Sequence, residues 1–219
     1  MAERAEGDAL RALFVVLLAC LSIVTGLLGG ERLRDLASAY RKDDIAITES
    51  PVSFQAWLRD GGLTAGTAPQ RIALRLLAMP LDHRRDATVA MLQPAFWQSL
   101  TSKGQSPRAV QIEVRDGLML ALMASPASGD LYLAAAWLDM VTGGFNDRTR
   151  ALLRFAQVYA PRELPYVVER LKLAPLVWPL LDAEGRKPFA ADLEVLRSVQ
   201  PERAALLELA LSEEGVKFP

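Results

Sequence analysis

Apolar residues recur along this chain at helical rather than strand spacing. In residues 125–159, Leu131, Ala134, Ala135 and Leu138 fall on one face of a first helix, Gly143 and Gly144 turn the chain, and Ala151, Leu152, Phe155 and Val158 line a second. Arg148, Arg150, Arg154 and Gln157 take the opposite face of that second helix. The next unit starts at Pro161, 35 residues after Pro126, and carries Leu164, Val167, Val168, Leu171 and Trp178. Pro175 and Pro179 bracket that tryptophan and predict a break or kink there. Two looser units precede, with Ile72, Leu74, Leu76 and Leu77 before Pro80, and Val110, Ile112, Leu118, Leu120 and Leu122 before Pro126. A final segment, residues 202–214, sets Leu206, Leu207, Leu209 and Leu211 against acids, the pattern of a capping helix.

Local signals agree. Ser50-Pro51, Ser106-Pro107, Ser125-Pro126, Ala160-Pro161 and Gln200-Pro201 read as helix starts, because proline at the first helical position loses no hydrogen bond. Gly61-Gly62, Gly104 and Gly143-Gly144 read as stops, with Asn146 positioned to cap the helix that follows. Trp57, Trp97, Trp137 and Trp178 stand 40, 40 and 41 residues apart. A period of that length marks units that bury too little surface alone and are stable only when stacked. The expected fold is all-α: a short α-solenoid of helical hairpins over residues 50–219.

The amino-terminal pattern is different. Residues 12–30 hold no charge and are long enough for a transmembrane helix, behind a short tail at 1–11 and ahead of a juxtamembrane linker or helix at 31–49. Cys20 falls within that span, so no disulfide or zinc site is expected in the helical domain. The basic residues divide as Arg4 and Arg11 before the span and Arg32, Arg34, Arg41 and Lys42 after it, a count that by itself places the helical domain in the cytoplasm. A short tail before a single span instead suits a bacterial inner-membrane anchor with the domain in the periplasm, the orientation expected here. Leu17-Leu18-Ala19-Cys20 and Ala37-Ser38-Ala39 are poor matches to a lipoprotein and a signal-peptidase site, respectively. The formal charge of −1, from 25 basic and 26 acidic residues, argues against nucleic acid as a partner.

Catalytic chemistry is sparse in this sequence. His83, the lone histidine, lies in Asp82-His83-Arg84-Arg85-Asp86, which reads as a solvated turn, and no nucleophile-elbow sequence accompanies it. Glu49-Ser50 matches a glycosidase-type pair only two residues deep and reads better as a helix cap. No metal site, phosphate loop or cofactor is expected, and the chain reads as a non-enzyme. Arg148, Arg150, Arg154 and Arg170 form the candidate partner-binding face; Asp60, Asp139 and Asp182, each soon after a tryptophan, could line a groove with them or lie on solvated faces. The tryptophans, with Gly143 and Gly144, read as structural repeat residues.

The unit length and glycine turns resemble degenerate tetratricopeptide repeats. Residues 125–186, through Ser125-Pro126, Trp137, Ala160-Pro161, Arg170-Leu171 and Trp178-Pro179-Leu180-Leu181, resemble in particular a group of membrane-anchored bacterial proteins with such helices. That resemblance implies a role in cell-envelope polysaccharide functions. The expected function is a membrane-anchored interaction module or scaffold with protein partners in an envelope complex, and contact with the bilayer through residues 12–30. The sequence leaves two alternatives, a carbohydrate-binding or carbohydrate-cleaving envelope protein and an accessory subunit acting through its span. Oligomeric state is not legible at this level.

Overall fold

The computed structural model describes residues 51–60, 68–100 and 106–218. All lie in one compact unit, Ile45–Pro219. The expected tail, span and linker of residues 1–49, with Cys20 and Glu49-Ser50, fall outside the described residues. Among the described residues no helix is long and apolar enough to cross a membrane.

Among those residues the chain is all-helical, with ten α-helices and no strand. They are α1 (Pro51–Asp60), α2 (Ala68–Ala78), α3 (Leu81–Met91), α4 (Pro94–Leu100), α5 (Pro107–Ala124), α6 (Gly129–Gly143), α7 (Asp147–Tyr159), α8 (Leu164–Val177), α9 (Ala183–Val199) and α10 (Pro201–Glu213). A 3-10 turn, Trp178–Leu180, follows α8. This is where the two prolines predict a break: Pro175 stays inside α8, and the α-helix stops two residues later.

Helix α6 is the centre of the packing. Its sequence is apolar on every side, and a helix of that kind belongs where neighbours surround it. It touches α3, α5, α7 and α8. The pairs α6–α7, α8–α9 and α9–α10 pack in chain order, whereas α2 lies mainly against α5, across two intervening helices. That last contact is close because Gly117 has no side chain. A Cβ there would stand 2.6 Å from Cγ2 of Ile72. The carboxyl-terminal core joins α8, α9 and α10 through Val167, Leu171, Phe189, Leu193, Leu196 and Leu211.

Trp97, Trp137 and Trp178 are buried and Trp57 is partly buried, each in a packing role. Trp97 and Trp137, one period apart, stack with ring centroids 5.8 Å apart and planes 16° from parallel. Trp97 also donates its indole N–H to the carbonyl of Met91 at 2.6 Å, satisfying the last residue of α3. Arg75 lies over Trp57 at 4.3 Å, and Arg186 covers Trp178 at 5.1 Å.

Three of the five proline starts open helices, at Pro51, Pro107 and Pro201. The others do not. After Ser125-Pro126 and Ala160-Pro161 the chain spends further residues in a turn before α6 and α8 begin. In the first of these turns the Ser125 and Ser128 hydroxyls pair at 2.6 Å, an alternative to immediate helix entry. The Asp82–Asp86 cluster is likewise not a loop but the first turns of α3. Its Arg84 is buried, with Nε 2.7 Å from Asp130 Oδ2 on α6. The α6–α7 turn follows expectation: Gly144 takes φ +78° and its N–H reaches the Met140 carbonyl at 2.8 Å, while Asn146 Oδ1 accepts the Thr149 N–H at 3.1 Å.

Candidate functional site

A concavity lies between α7 and α9, a groove of about 600 Å³. One wall is the Arg150, Arg154 and Val158 side of α7, and the other is α9 from Gly185 to Asp192. Phe145, Leu153 and Phe189 make its surface partly apolar, while Arg150, Arg154 and Lys187 give it cations. Asp182 caps α9 at its mouth, accepting the Gly185 N–H at 2.8 Å.

Its floor is a buried ion pair. Arg170, from α8, sends Nε to Asp192 Oδ2 at 2.7 Å and Nη2 to Asp192 Oδ1 at 2.8 Å, a bidentate fork. Its remaining nitrogen donates to the Ala160 carbonyl at 3.0 Å, which ties α8 and α9 to the end of α7. Burial pushes the Asp192 carboxyl above the usual carboxylate range, and the Arg170 guanidinium pulls it part of the way back. Gln157 completes the link between α7 and α9 by donating to the Pro188 carbonyl at 2.8 Å.

The four arginines of the candidate face therefore separate. Arg150 and Arg154 line the groove and are exposed. Arg150 is only 3.9 Å from Asp147 and rests over Phe145, and Arg154 has no ion-pair partner among the described residues. Arg170, at 3% exposure, is a structural member of the groove floor rather than a free surface cation. Arg148 points elsewhere, toward the carboxylate of Asp139. Asp139 is fully buried and accepts the Thr149 hydroxyl at 2.9 Å, so it lies neither on a solvated face nor in the groove. The Asp60 side chain is outside the described residues.

Helix α7 also departs from its expected facing. Thr149, Leu152 and Ala156 turn inward, whereas Phe155 is 45% and Val158 60% exposed. Phe155 and Tyr159 join Tyr132 of α6 in an aromatic patch, with the two tyrosine rings 5.6 Å apart and nearly parallel. A second concavity of about 450 Å³ lies beside it, between α3 and the start of α6. There Arg84 donates to both Asp130 and Ser128. Burial, with the Asp130 and Glu163 carboxylates adding to it, raises the Tyr166 phenol far above its usual value and keeps it neutral.

Sequence reasoning missed both buried pairs, although a signal existed for one. Asp192 shares the apolar stripe of Phe189, Leu193 and Leu196, and Arg170 that of Val167, Leu171 and Ala174. Opposite charges embedded in two core stripes of neighbouring helices point to a buried pair. Among the described residues no cluster of three or more histidine, cysteine, aspartate or glutamate side chains could hold a metal. No family model, curated protein or solved structure matches the chain.

Proposed function

We propose that this chain is a membrane-anchored helical-repeat scaffold that holds protein partners in a bacterial cell-envelope assembly, in the manner of a short α-solenoid of degenerate tetratricopeptide-like hairpins. The observation that carries this reading is the groove between α7 and α9. It combines exposed, weakly engaged Arg150 and Arg154 with apolar walls, on a floor locked by Arg170 and Asp192. Rigid floors and adaptable cationic rims suit a polypeptide ligand, because such a site demands little reordering on binding. Residues 12–30 supply the anchor, and the domain would sit on the periplasmic side. Surface polysaccharide handling is the process the resemblance favours.

The test is affinity purification of the tagged full-length chain from detergent, with other co-purifying proteins identified by mass spectrometry. A parallel Arg150→Glu/Arg154→Glu variant and one with residues 12–30 replaced by an unrelated span complete the set. A defined partner that survives the span replacement and is lost on charge reversal supports the scaffold. Partners lost with the span alone transfer the role to an accessory subunit acting in the membrane. No partner with any form refutes the scaffold.

One observation favours the carbohydrate-binding reading. Tyr132, Phe155 and Tyr159 form a partly exposed aromatic surface, whereas Trp97, Trp137 and Trp178 are spent on packing. A Tyr159→Ala variant would lose affinity for envelope glycans if that surface stacks sugars, and no binding of either form to such glycans removes the reading.

A further inference from the structure

The last helix does not end the array with a polar face. Ala204 and Leu211 bury α10 against its neighbours, but Leu206 is 70% and Leu209 61% exposed. Together with Glu202 and Glu213 they recur at i, i+4, i+7 and i+11, a single stripe with acid at each end and leucine between. Both glutamates are exposed, and neither has an ion-pair partner among the described residues. The capping role expected of this segment is thus only half fulfilled: it covers α8 and α9, yet presents a fresh apolar surface outward.

We propose that this stripe docks into the α7–α9 groove of a second copy of the chain, so that the partner the groove receives is α10 of another molecule. The proposal rests on reading the groove as a protein-docking surface. The two surfaces complement each other in sign along one wall: α7 offers Arg150 and Arg154 to the Glu202 and Glu213 of the stripe, while on the α9 wall Lys187 is paired with Glu184 and Asp182 caps the helix. They match in polarity as well, with Leu206 and Leu209 facing Phe145, Leu153, Val158 and Phe189. They also match in length. Helices α7 and α10 each have 13 residues, which is roughly 20 Å at 1.5 Å per residue; the glutamates stand about 16 Å apart and the arginines about 6 Å, so both arginines of one groove serve the same end of the stripe. Donor and acceptor surfaces differ, so the contact is heterologous and propagates into open chains or rings instead of closing as a two-fold dimer. Opposite charge steers the encounter, and leucine burial holds it.

The experiment is sedimentation velocity of the purified full-length chain in detergent over a concentration series. Two charge-reversed variants accompany it: a groove variant, Arg150→Glu/Arg154→Glu, and a stripe variant, Glu202→Arg/Glu213→Arg. All four positions are solvent-exposed, and far-UV circular dichroism verifies that both variants fold. The wild-type chain is expected to form species beyond the dimer as concentration rises. Each variant alone is expected to associate about tenfold or more weakly. An equal mixture of the two is expected to regain association, because the groove of each then meets a stripe of opposite sign.

A chain that stays monomeric throughout overturns the proposal, as does association that neither variant alters or a mixture that fails to recover. These failures are separable from failure of the scaffold. A monomer that still captures another protein through Arg150 and Arg154 places that protein in the groove and leaves the scaffold standing. A chain that self-associates as described and captures nothing else sustains the docking and removes the scaffold.

Discussion

Replacing Arg170 with methionine tests whether the groove floor is held by a mutually dependent charge pair. Both side chains are buried, with side-chain exposures of 3%. Taking away the arginine strands the Asp192 carboxylate in an apolar site, and breaking a buried pair in this way costs about 3–5 kcal/mol. A domain of this size moves by roughly 2–4 °C per kcal/mol, so the melting temperature of Arg170→Met should fall by about 6–20 °C. The double variant, Arg170→Met/Asp192→Leu, removes both charges, and such exchanges are near neutral or stabilising. It still leaves the Ala160 carbonyl without its Arg170 donor, a loss of about 1–3 kcal/mol. The double variant should therefore be more stable than the Arg170→Met single variant.

The same pair carries a pH signature. Burial raises the Asp192 carboxyl above its value in the unfolded chain, so the folded protein binds the extra proton. Its contribution to stability is fully present below the unfolded value, about 3.9, and is lost as pH rises through the folded one. Without Arg170 the folded value rises further, and the deficit of Arg170→Met should shrink as pH falls from neutrality. Urea unfolding followed by circular dichroism at several pH values reads both effects. A double variant no more stable than the single one, or a deficit independent of pH, would show that the cost comes from lost packing and not from an uncompensated charge.

Three further predictions follow from the packing. Gly117→Ala gains about 1 kcal/mol of intrinsic helix propensity but drives a methyl group to 2.6 Å from Cγ2 of Ile72, so it should destabilise by up to about 2 kcal/mol net in urea unfolding; Ile72→Ala in the same chain, which removes that Cγ2, should make the two costs less than additive. Trp97→Ala and Trp137→Ala should each cost about 3–5 kcal/mol, with a coupling of roughly 0.5–1.5 kcal/mol in the double-mutant cycle; additive costs would deny the stacking any energy of its own. Asn146→Ala should lose about 1 kcal/mol through the missing cap of α7, Asn146→Ser should retain most of it, and equal stability of all three chains would contradict the cap.

The elements of this protein were largely written in local sequence, because helix periodicity, proline starts and glycine stops act over a few residues. The turn at Gly143-Gly144, the Asn146 cap and the break around Trp178 needed nothing more. Local rules failed where a distant group supplied the deciding energy. Phe155 and Val158 continue a helical apolar pattern, yet face outward because α6 meets α7 along Thr149, Leu152 and Ala156. Arg84 sits in a polar cluster that reads as a loop, yet is buried because Asp130, 46 residues away, neutralises it. Of the candidate face, the choice of arginine as the residue type was legible, but only packing separated Arg150 and Arg154 at the groove from Arg170 beneath it and Arg148 beside Asp139. By itself the sequence determined the helical character of the described residues; tertiary structure alone decided which charges are paired and which remain exposed, since pairing depends on which helices meet, and that is settled by contacts far apart along the chain.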